Sequence, residues 1–288
     1  MTAPNLIRSL DEIADRYDAI LCDVWGVVHN GVAAYPAARA ALARFQAARG
    51  PVALISNAPR PSDAVRPQLD QMGVGEEAYA EFVTSGDATR AELLRRAPGP
   101  CWAIGPVRDA ALFEGLPLEL VETPEESAFV CATGLFDDET ETPADYEGRL
   151  RTCAERRLEM VCANPDRVVQ RGERMIYCAG ALADLYAELG GRVTMVGKPY
   201  APIYVLALER VSRRLGRTVE PARVLAIGDG APTDVLGANA QGLDCLFIAA
   251  GIHAEAVLGA DGAVDPARAE AFLTREGAHA AYVMAGLA

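Results

Sequence analysis

The sequence predicts an α/β protein with a mostly parallel sheet. Short, continuously apolar segments alternate along the chain with longer segments of helical periodicity. Continuous apolar runs are typical of strands buried on both faces, and strands that alternate with helices form βαβ units. The chain has 288 residues, 51% of them hydrophobic. This is ample for a buried core, and the length is typical of two domains or one large domain.

In the first third, periodicity at residues 6–16 predicts a short amphipathic helix. The strands predicted next are residues 19–22, 52–55 and 82–84. A helix at residues 36–49 has proline in its first turn and Gly50 just past its end. Ser62 can cap a second helix, which Pro67 could kink, and a third helix spans residues 87–96.

The rest of the chain repeats this alternation. The further predicted strands are residues 102–104, 128–132, 160–163, 193–196, 224–227 and 245–248. The further predicted helices are residues 108–114, 143–157, 179–189, 202–215 and 232–241. The acidic residues 137–141 are typical of a solvated loop. Pro98-Gly99-Pro100 and Gly190-Gly191 are breaks that could flank an inserted domain.

The composition argues against several classes of protein. Lys+Arg number 27 and Asp+Glu 40, and the net charge of −13 argues against a nucleic-acid or anionic-membrane surface. No run of about 18 uncharged apolar residues exists, so we expect no membrane span. Residues 1–17 lack the apolar core of a signal peptide. The seven cysteines form no CxxC pair, which disfavours zinc, and we predict a cytoplasmic protein with reduced thiols.

Four of the predicted strands end in side chains that can carry chemistry. Asp23 follows the first strand, Ser56-Asn57 follows the second, and Lys198 and Asp229 follow two later strands. Each residue alone is more simply a turn or helix-capping residue. Ligands of open parallel sheets bind beyond the carboxyl ends of the strands, so the four ends together indicate one site. Lys198 is also the single lysine among the 27 basic residues, and its compact ammonium could act where the arginine fork would not fit.

These residue types suit the transfer of a phosphoryl group. The Asp23 carboxylate can attack phosphorus and form an aspartyl phosphate. Ser56 and Lys198 would stabilise charge on the oxygens of the transferring group, and Lys198 would also keep the nucleophile ionised. The predicted catalytic residues are therefore Asp23, Ser56, Asn57 and Lys198.

The same strand ends predict a magnesium site. Mg²⁺ takes oxygen ligands in an octahedron. Asp23, Asp229 and the backbone carbonyl of Trp25 would supply such ligands, and Asp234, in the first turn of the next helix, would orient a bound water. The predicted metal residues are therefore Asp23, Trp25, Asp229 and Asp234.

The order of these motifs resembles that of the haloacid dehalogenase (HAD) superfamily of phosphatases, in particular subclass IIA, the NagD-like sugar and nucleotide phosphatases. The shared order is Asp23, Ser56-Asn57, Gly197-Lys198-Pro199, Gly228-Asp229 and Asp234. Three further segments resemble that subclass, namely residues 84–89, 163–166 and 179–181. The resemblance covers most of the chain, from about residue 23 to residue 251.

The resemblance implies a Rossmann-like core domain at residues 1–86 and 190–288, with an inserted α/β cap domain at residues 87–189. It also implies Mg²⁺ as cofactor and a small phosphorylated metabolite, of the sugar phosphate or nucleotide class, as substrate. Because the cap selects the substrate in this family, Asn57, Asn164 and Asp166 are candidate substrate contacts. For Asn164 and Asp166, a strand-end turn capped by these side chains is an equally good interpretation. Whether the chain forms a homodimer stays open.

One position departs from the family pattern. Most of its phosphatases carry a second aspartate two residues after the nucleophile, which protonates the leaving group and later activates water. Here that residue is Trp25, which cannot transfer a proton in this way. The loss of a general acid typically costs ~10²–10⁴-fold in rate. The resemblance therefore implies a phosphatase with reduced or altered acid/base catalysis.

Several alternatives follow from this departure. The enzyme could prefer aryl or acyl phosphates, whose leaving groups need no proton, or His29 could substitute as the acid, although a loop role for His29 is simpler. The chain could instead be a catalytically weak phospholigand-binding or regulatory protein of the same fold. Metal-free dehalogenase chemistry is disfavoured by the pairing of Asp229 with Asp234.

Overall fold

The computed structural model describes residues 3–171 and 174–288. Its strands, in chain order, are β1 (Asn5–Leu6), β2 (Ala19–Asp23), β3 (Val52–Ser56), β4 (Glu81–Thr84), β5 (Cys101–Ile104), β6 (Leu120–Val121), β7 (Phe129–Ala132), β8 (Glu159–Cys162), β9 (Val168–Arg171), β10 (Arg174–Tyr177), β11 (Arg192–Met195), β12 (Val224–Gly228), β13 (Asp244–Ile248) and β14 (Tyr282–Met284). Its α-helices are α1 (Pro36–Ala48), α2 (Ser62–Gln71), α3 (Ser85–Leu94), α4 (Glu147–Glu155), α5 (Ala179–Glu188), α6 (Ala201–Leu215), α7 (Leu236–Ala240), α8 (Ala254–Val257) and α9 (Pro266–Arg275).

The chain divides into two compact units. The first comprises Met1–Ser56, Arg66–Val83 and Tyr204–Ala288, and the second comprises Asn57–Val65 and Thr84–Ile203. Among the described residues, no helix has the length and apolar character needed to cross a bilayer.

The first unit contains a seven-stranded sheet in the order β1-β14-β13-β12-β2-β3-β4. β2 is a central strand, paired in parallel with β12 on one side and β3 on the other. All five of its residues are buried, as its continuous apolar sequence predicts. These pairings and the flanking helices confirm the predicted α/β class with a mostly parallel sheet.

Helix α1 shows how the sequence specifies its place on this sheet. Pro36 occupies the first turn, where its missing N–H costs nothing, and the helix ends just before Gly50. The residues it buries are spaced to form one face, namely Ala38, Ala41, Leu42 and Phe45. At Gly50 a Cβ would overlap the carbonyl oxygen of Asp18, so only glycine fits there.

The second unit contains a five-stranded sheet in the order β11-β8-β7-β5-β6, in which all neighbouring strands pair in parallel. A separate antiparallel hairpin is formed by β9 and β10. The core of this unit combines strand residues such as Trp102 and Met160 with the buried faces of α4 and α5.

The placement of β11 differs from the sequence-based expectation. The predicted core domain includes all residues from 190 onward, but β11 pairs with β8 in the five-stranded sheet. Strand periodicity shows that a segment is buried but not which sheet buries it. The limits of the two domains otherwise remain a prediction.

The predicted helix at residues 6–16 is wrong. This segment contains β1 and two short 3₁₀ turns, Leu10–Glu12 and Ala14–Arg16. Ser9 and Glu12 form a capping box that starts the first turn, but Ile13 then leaves the helical region at φ −124°, ψ −6°. Helical periodicity therefore marked the buried face correctly but not the backbone conformation.

Three other predicted helices are α-helical only in part or not at all. Residues 107–112 form a 3₁₀ helix, residues 143–146 form a 3₁₀ turn before α4, and residues 231–235 form a π turn before α7. Several short elements were not predicted, namely β1, β6, β9, β10, β14, α8 and α9.

Candidate active site

Three buried aspartates of the first unit meet at the carboxyl edge of the seven-stranded sheet. Asp23 is the last residue of β2, and Asp229 directly follows the neighbouring β12. The register pairs Ile227 with Cys22, which brings the ends of these two strands level. Asp234 lies in the π turn that follows. One carboxylate oxygen from each aspartate lies within 4.8 Å of the others.

Backbone groups fix the orientation of two of these carboxylates. The N–H of Ile252 donates to Asp229 Oδ2 at 3.0 Å, and the N–H of Gly230 donates to Asp234 Oδ2 at 3.1 Å. Gly26 has φ +82°, and a Cβ there would overlap Asp229 Oδ2. The loop after Asp23 therefore packs directly against the cluster, which requires glycine at position 26.

The donor set fits a hard divalent cation. Three carboxylates offer the oxygen ligands that Mg²⁺ takes in proteins. Two such charges 4.8 Å apart repel by on the order of 3 kcal/mol at an effective dielectric constant of about 20. A bound cation would relieve this repulsion, so the cluster is better suited to holding a metal than to remaining metal-free.

Trp25 and His29 lie in the loop that follows Asp23. The ring of Trp25 meets that of His29 edge-on, with 5.4 Å between the ring centroids. His29 Nδ1 accepts a hydrogen bond from the N–H of Gly31 at 2.9 Å, and burial lowers the pKa of His29. A neutral, buried imidazole that holds a turn fits the loop role better than the role of substitute acid. Whether the Trp25 carbonyl binds a metal stays a prediction.

Ser56 lies at the same sheet edge as Asp23. It is the last residue of β3, which pairs with β2 in a register that sets Ile55 opposite Asp23. Ser56 therefore lies near Asp23, since neighbouring parallel strands end side by side.

In the second unit, the Asn57 side chain binds both polar groups of the Lys198 backbone. Its Oδ1 accepts from the Lys198 N–H at 2.7 Å, and its Nδ2 donates to the Lys198 carbonyl at 3.2 Å. The same Nδ2 donates to Asp166 Oδ1 at 2.9 Å. Asn57 is therefore a junction that fixes the positions of Lys198 and Asp166.

The second-sheet strands explain why these residues meet. β8 and β11 are parallel neighbours with Cys162 opposite Met195, so the segments after them share one edge of the sheet. Asn164 Oδ1 accepts from the Asp166 N–H at 3.0 Å, which is a side-chain-capped turn. That local role of Asn164 is present whether or not it also contacts a substrate, which stays a prediction.

Two glycines of the sequence motifs, Gly197 and Gly180, allow the backbone to pack closely against Pro165 at this edge of the second unit's sheet. A Cβ at Gly197 would lie 2.7 Å from Pro165 Cδ, and a Cβ at Gly180 would overlap the Pro165 carbonyl oxygen. Sequence reasoning placed Gly197 at a predicted strand end, and it noticed Gly180 only through the family resemblance. The sequence analysis missed the contacts of Gly26 and Ile252 with Asp229. Both contacts are made by backbone atoms, so they do not depend on a recognisable side chain.

The structure thus places the predicted residues in two groups. Asp23, Ser56, Asp229 and Asp234 lie at one edge of the first unit's sheet. Asn57, Asn164, Asp166 and Lys198 lie together in the second unit.

Comparisons with known proteins agree with this fold. Residues 20–119 match a family described as haloacid dehalogenase-like hydrolase, and residues 195–273 match a second family described as HAD-hydrolase-like. The two matched segments include Asp23, Ser56, Lys198 and Asp229. No curated protein sequence matches the chain significantly.

Solved structures extend the match to nearly the whole chain. A haloacid dehalogenase-like hydrolase from Brucella suis is 45% identical, with 98% of this chain and 100% of that chain covered and a TM-score of 0.86. A possible sugar phosphatase of the HAD superfamily from Cytophaga hutchinsonii is 18% identical, with 98% of each chain covered and a TM-score of 0.78. A glycerol phosphate phosphatase from Mycobacterium tuberculosis, solved with magnesium, is 24% identical, with 85% of this chain and 71% of that chain covered and a TM-score of 0.64.

The last two similarities show the fold alone, whereas the first carries the family. The fold and the carboxylate cluster define a hydrolase with a HAD-type, Rossmann-like core. The chain belongs to the haloacid dehalogenase-like hydrolase family.

Proposed function

We propose that this hydrolase is a magnesium-dependent phosphatase of small phosphorylated metabolites, similar to the NagD-like subclass. The observation that carries the proposal is the cluster of Asp23, Asp229 and Asp234, whose oxygens lie within 4.8 Å of one another beside the end of the central strand. The fold that this chain shares with a possible sugar phosphatase and a glycerol phosphate phosphatase is compatible with phosphatase chemistry.

Asp23 is the nucleophile in this proposal. Its carboxylate oxygen bonds to phosphorus while the ester P–O bond breaks, and the electron pair leaves with the alcohol oxygen. Water then attacks the phosphoryl group, which releases inorganic phosphate and restores the Asp23 carboxylate. When bound by Asp23, Asp229 and Asp234, Mg²⁺ would supply positive charge that offsets the negative charge of the phosphoryl oxygens.

The second unit would supply a cation in this proposal. Asn57 holds the backbone of Lys198, whose ammonium would stabilise the transferring oxygens. Asp166, which shares the Asn57 amide, is the proposed substrate contact of the second unit. Ser56 would donate its hydroxyl to a phosphoryl oxygen.

Proton transfer is the weak step of this proposal. Trp25 occupies the position of the usual acid, and His29 is buried and holds a turn. Leaving groups that depart without a proton should therefore react fastest. A screen of phosphate release with and without Mg²⁺ tests this, using an aryl phosphate against an alkyl sugar phosphate and D23N as the inactive control. Equal rates for the two esters would show that another acid exists.

The absence of an acid at position 25 also favours a second candidate, a phospholigand-binding protein with little turnover. It predicts that a phosphorylated ligand with Mg²⁺ raises the unfolding temperature without phosphate release. In that case W25D should create or raise activity, since the other site groups are in place. Multiple-turnover phosphate release by the native protein would eliminate this candidate.

A further inference from the structure

The loop after the nucleophile carries an aromatic ring that is both fixed and accessible. Trp25 is 46% exposed. Its ring meets the His29 ring at an interplanar angle of 74°. Gly31, at φ +87°, lies so close that a Cβ there would overlap the indole. Because the Trp25 ring is already held by its neighbours, a ligand that contacts its exposed part causes little further loss of side-chain conformational entropy.

This ring belongs to the same loop as the carboxylate cluster. The backbone of Gly26, the next residue, packs against Asp229. The N–H of Gly26 donates to the carbonyl of His29 at 2.8 Å, which closes the loop below the indole. A part-exposed indole is thus built into the loop that follows Asp23 and packs against Asp229.

We infer that Trp25 determines specificity by binding the leaving group, and that this leaving group is a planar aromatic ring, as in aryl phosphates. The inference deepens the proposed phosphatase function and rests on it. Two independent properties of Trp25 point to the same substrates. An indole cannot donate the proton that an alkoxide needs, and a part-exposed aromatic ring favours contact with a planar ring over contact with a sugar alcohol.

The chemical step balances without an acid. The Asp23 oxygen bonds to phosphorus, the aryl P–O bond breaks, and the electron pair leaves on the aryl oxygen. The resulting phenolate is stabilised by its ring and takes a proton from water after departure. No further reactant is needed besides the water that later hydrolyses the aspartyl phosphate.

Binding of non-hydrolysable analogues tests the inference without turnover. The chain has two tryptophans, and Trp102 is only 1% exposed in the core of the second unit. In a W102F background, Trp25 is therefore the sole indole reporter. With Mg²⁺ present, phenylphosphonate should change its fluorescence and bind about three- to tenfold more tightly than propylphosphonate, the range typical of an aromatic pair.

Substitutions at Trp25 test whether its aromatic ring, rather than the size of its side chain, gives the preference for phenylphosphonate. By calorimetry, W25F should keep most of the preference for phenylphosphonate, and W25L should lose it. F136L, which removes a part-exposed aromatic of the second unit, should leave the preference intact. Unfolding temperatures check that each variant is folded. A W25L protein that still prefers the phenyl compound would overturn the inference.

Steady-state kinetics distinguish recognition of the aromatic ring from a preference for leaving groups that depart without a proton. Phenyl-type esters and acetyl phosphate both have leaving groups that need no proton, but only the former have a ring. W25L should raise KM for an aryl phosphate about three- to tenfold more than it raises KM for acetyl phosphate, with little change in kcat for the aryl substrate. An equal rise for both substrates would contradict ring recognition. If the native protein hydrolyses neither substrate, the proposed function fails, while the phosphonate measurements still decide the role of Trp25.

Discussion

At the carboxylate cluster, three like charges share a buried site, and this arrangement has measurable consequences for the residues involved. Asp229 is held by the Ile252 N–H and packed against Gly26, so it cannot easily swing away from Asp23 and Asp234. The repulsion is therefore built into the fold, and metal binding should be strongly coupled to stability.

We predict that D229N raises the unfolding temperature of the metal-free protein and loses most of the stabilisation by Mg²⁺. In the native protein, Mg²⁺ at one hundred times its Kd should stabilise the fold by about 2.7 kcal/mol. Thermal unfolding over a Mg²⁺ series measures both effects. D261N, which alters an exposed loop aspartate of the same unit, is the control and should behave like the native protein. An undiminished Mg²⁺ effect in D229N would remove Asp229 from the site.

A second residue-scale prediction concerns Asn57. Its replacement by alanine leaves the buried N–H and carbonyl of Lys198 without these partners, which should cost about 1–3 kcal/mol of unfolding free energy. Because Lys198 also loses its fixed position, kcat for phosphate release should fall more than KM rises.

The chain contains a matched control for N57A. Asn239 binds the N–H and carbonyl of His279 in the same manner, at 2.8 and 2.7 Å, but in an exposed setting. Water can replace those bonds, so N239A should cost less than about 1 kcal/mol and leave kcat unchanged. Urea unfolding and steady-state assays make the comparison, and equal losses in the two variants would mean that burial of the Lys198 peptide is unimportant.

At the scale of elements, we expect alanine substitution at two helical glycines to have opposite effects on the free energy of unfolding. A Cβ at Gly180 in α5 would overlap the carbonyl oxygen of Pro165, whereas at Gly148 in α4 nothing lies within 4 Å. G148A should therefore stabilise the protein by about 0.5–1 kcal/mol through helix propensity.

G180A should destabilise the protein and displace the turn that carries Asp166. Urea unfolding should show opposite signs of the free-energy change for G180A and G148A, and only G180A should reduce phosphatase activity. A stabilised and fully active G180A protein would show that the turn can shift at no cost.

The sequence predicted the buried strands well and the short peripheral elements poorly, and the reason is physical. β2, β3 and β12 are buried along most of their length, so their residue types are constrained at every position. β1 and β14 have two and three residues, too few for any period to be visible. The sheet to which β11 belongs depends on contacts with β8 that are distant in sequence.

The same reasoning applies to the candidate site. Asp23, Asp229 and Lys198 were found because each directly or closely follows a predicted strand, although Lys198 follows a strand of the second unit's sheet and the two aspartates follow strands of the first. The role of Asn57 as a clamp on the Lys198 backbone could not be predicted, since the polar groups it satisfies belong to the main chain. The exposure of Trp25 was equally hidden, because it depends on the turn at Gly31.

At the scale of the whole molecule, all seven cysteines are buried, and none of them takes part in a disulfide. Burial raises the pKa of Cys101, Cys162 and Cys178 to about 12. Their thiolates are therefore scarce below that pH in the folded state, and only the thiolate attacks a disulfide reagent.

We predict that the native protein reacts negligibly with a thiol reagent at pH 8, and that unfolding in urea releases seven reactive thiols. The reaction of the folded protein should follow the rate or population of unfolding rather than the ordinary thiol pKa. A spectrophotometric thiol titration with and without urea measures both. Rapid reaction of even one thiol in the native state would show that at least one cysteine is accessible.

The central strand β2 of the first unit pairs with a strand, β12, that the ribosome adds much later. β2, which ends in the nucleophile, is made early, but its neighbour β12 and the other two aspartates belong to the last third of the chain. Until the ribosome has added them, β2 has one edge with unsatisfied backbone groups and an apolar face, the form of strand most prone to aggregate. The nascent protein should therefore depend on chaperones, and the proposed metal site can form only late in translation.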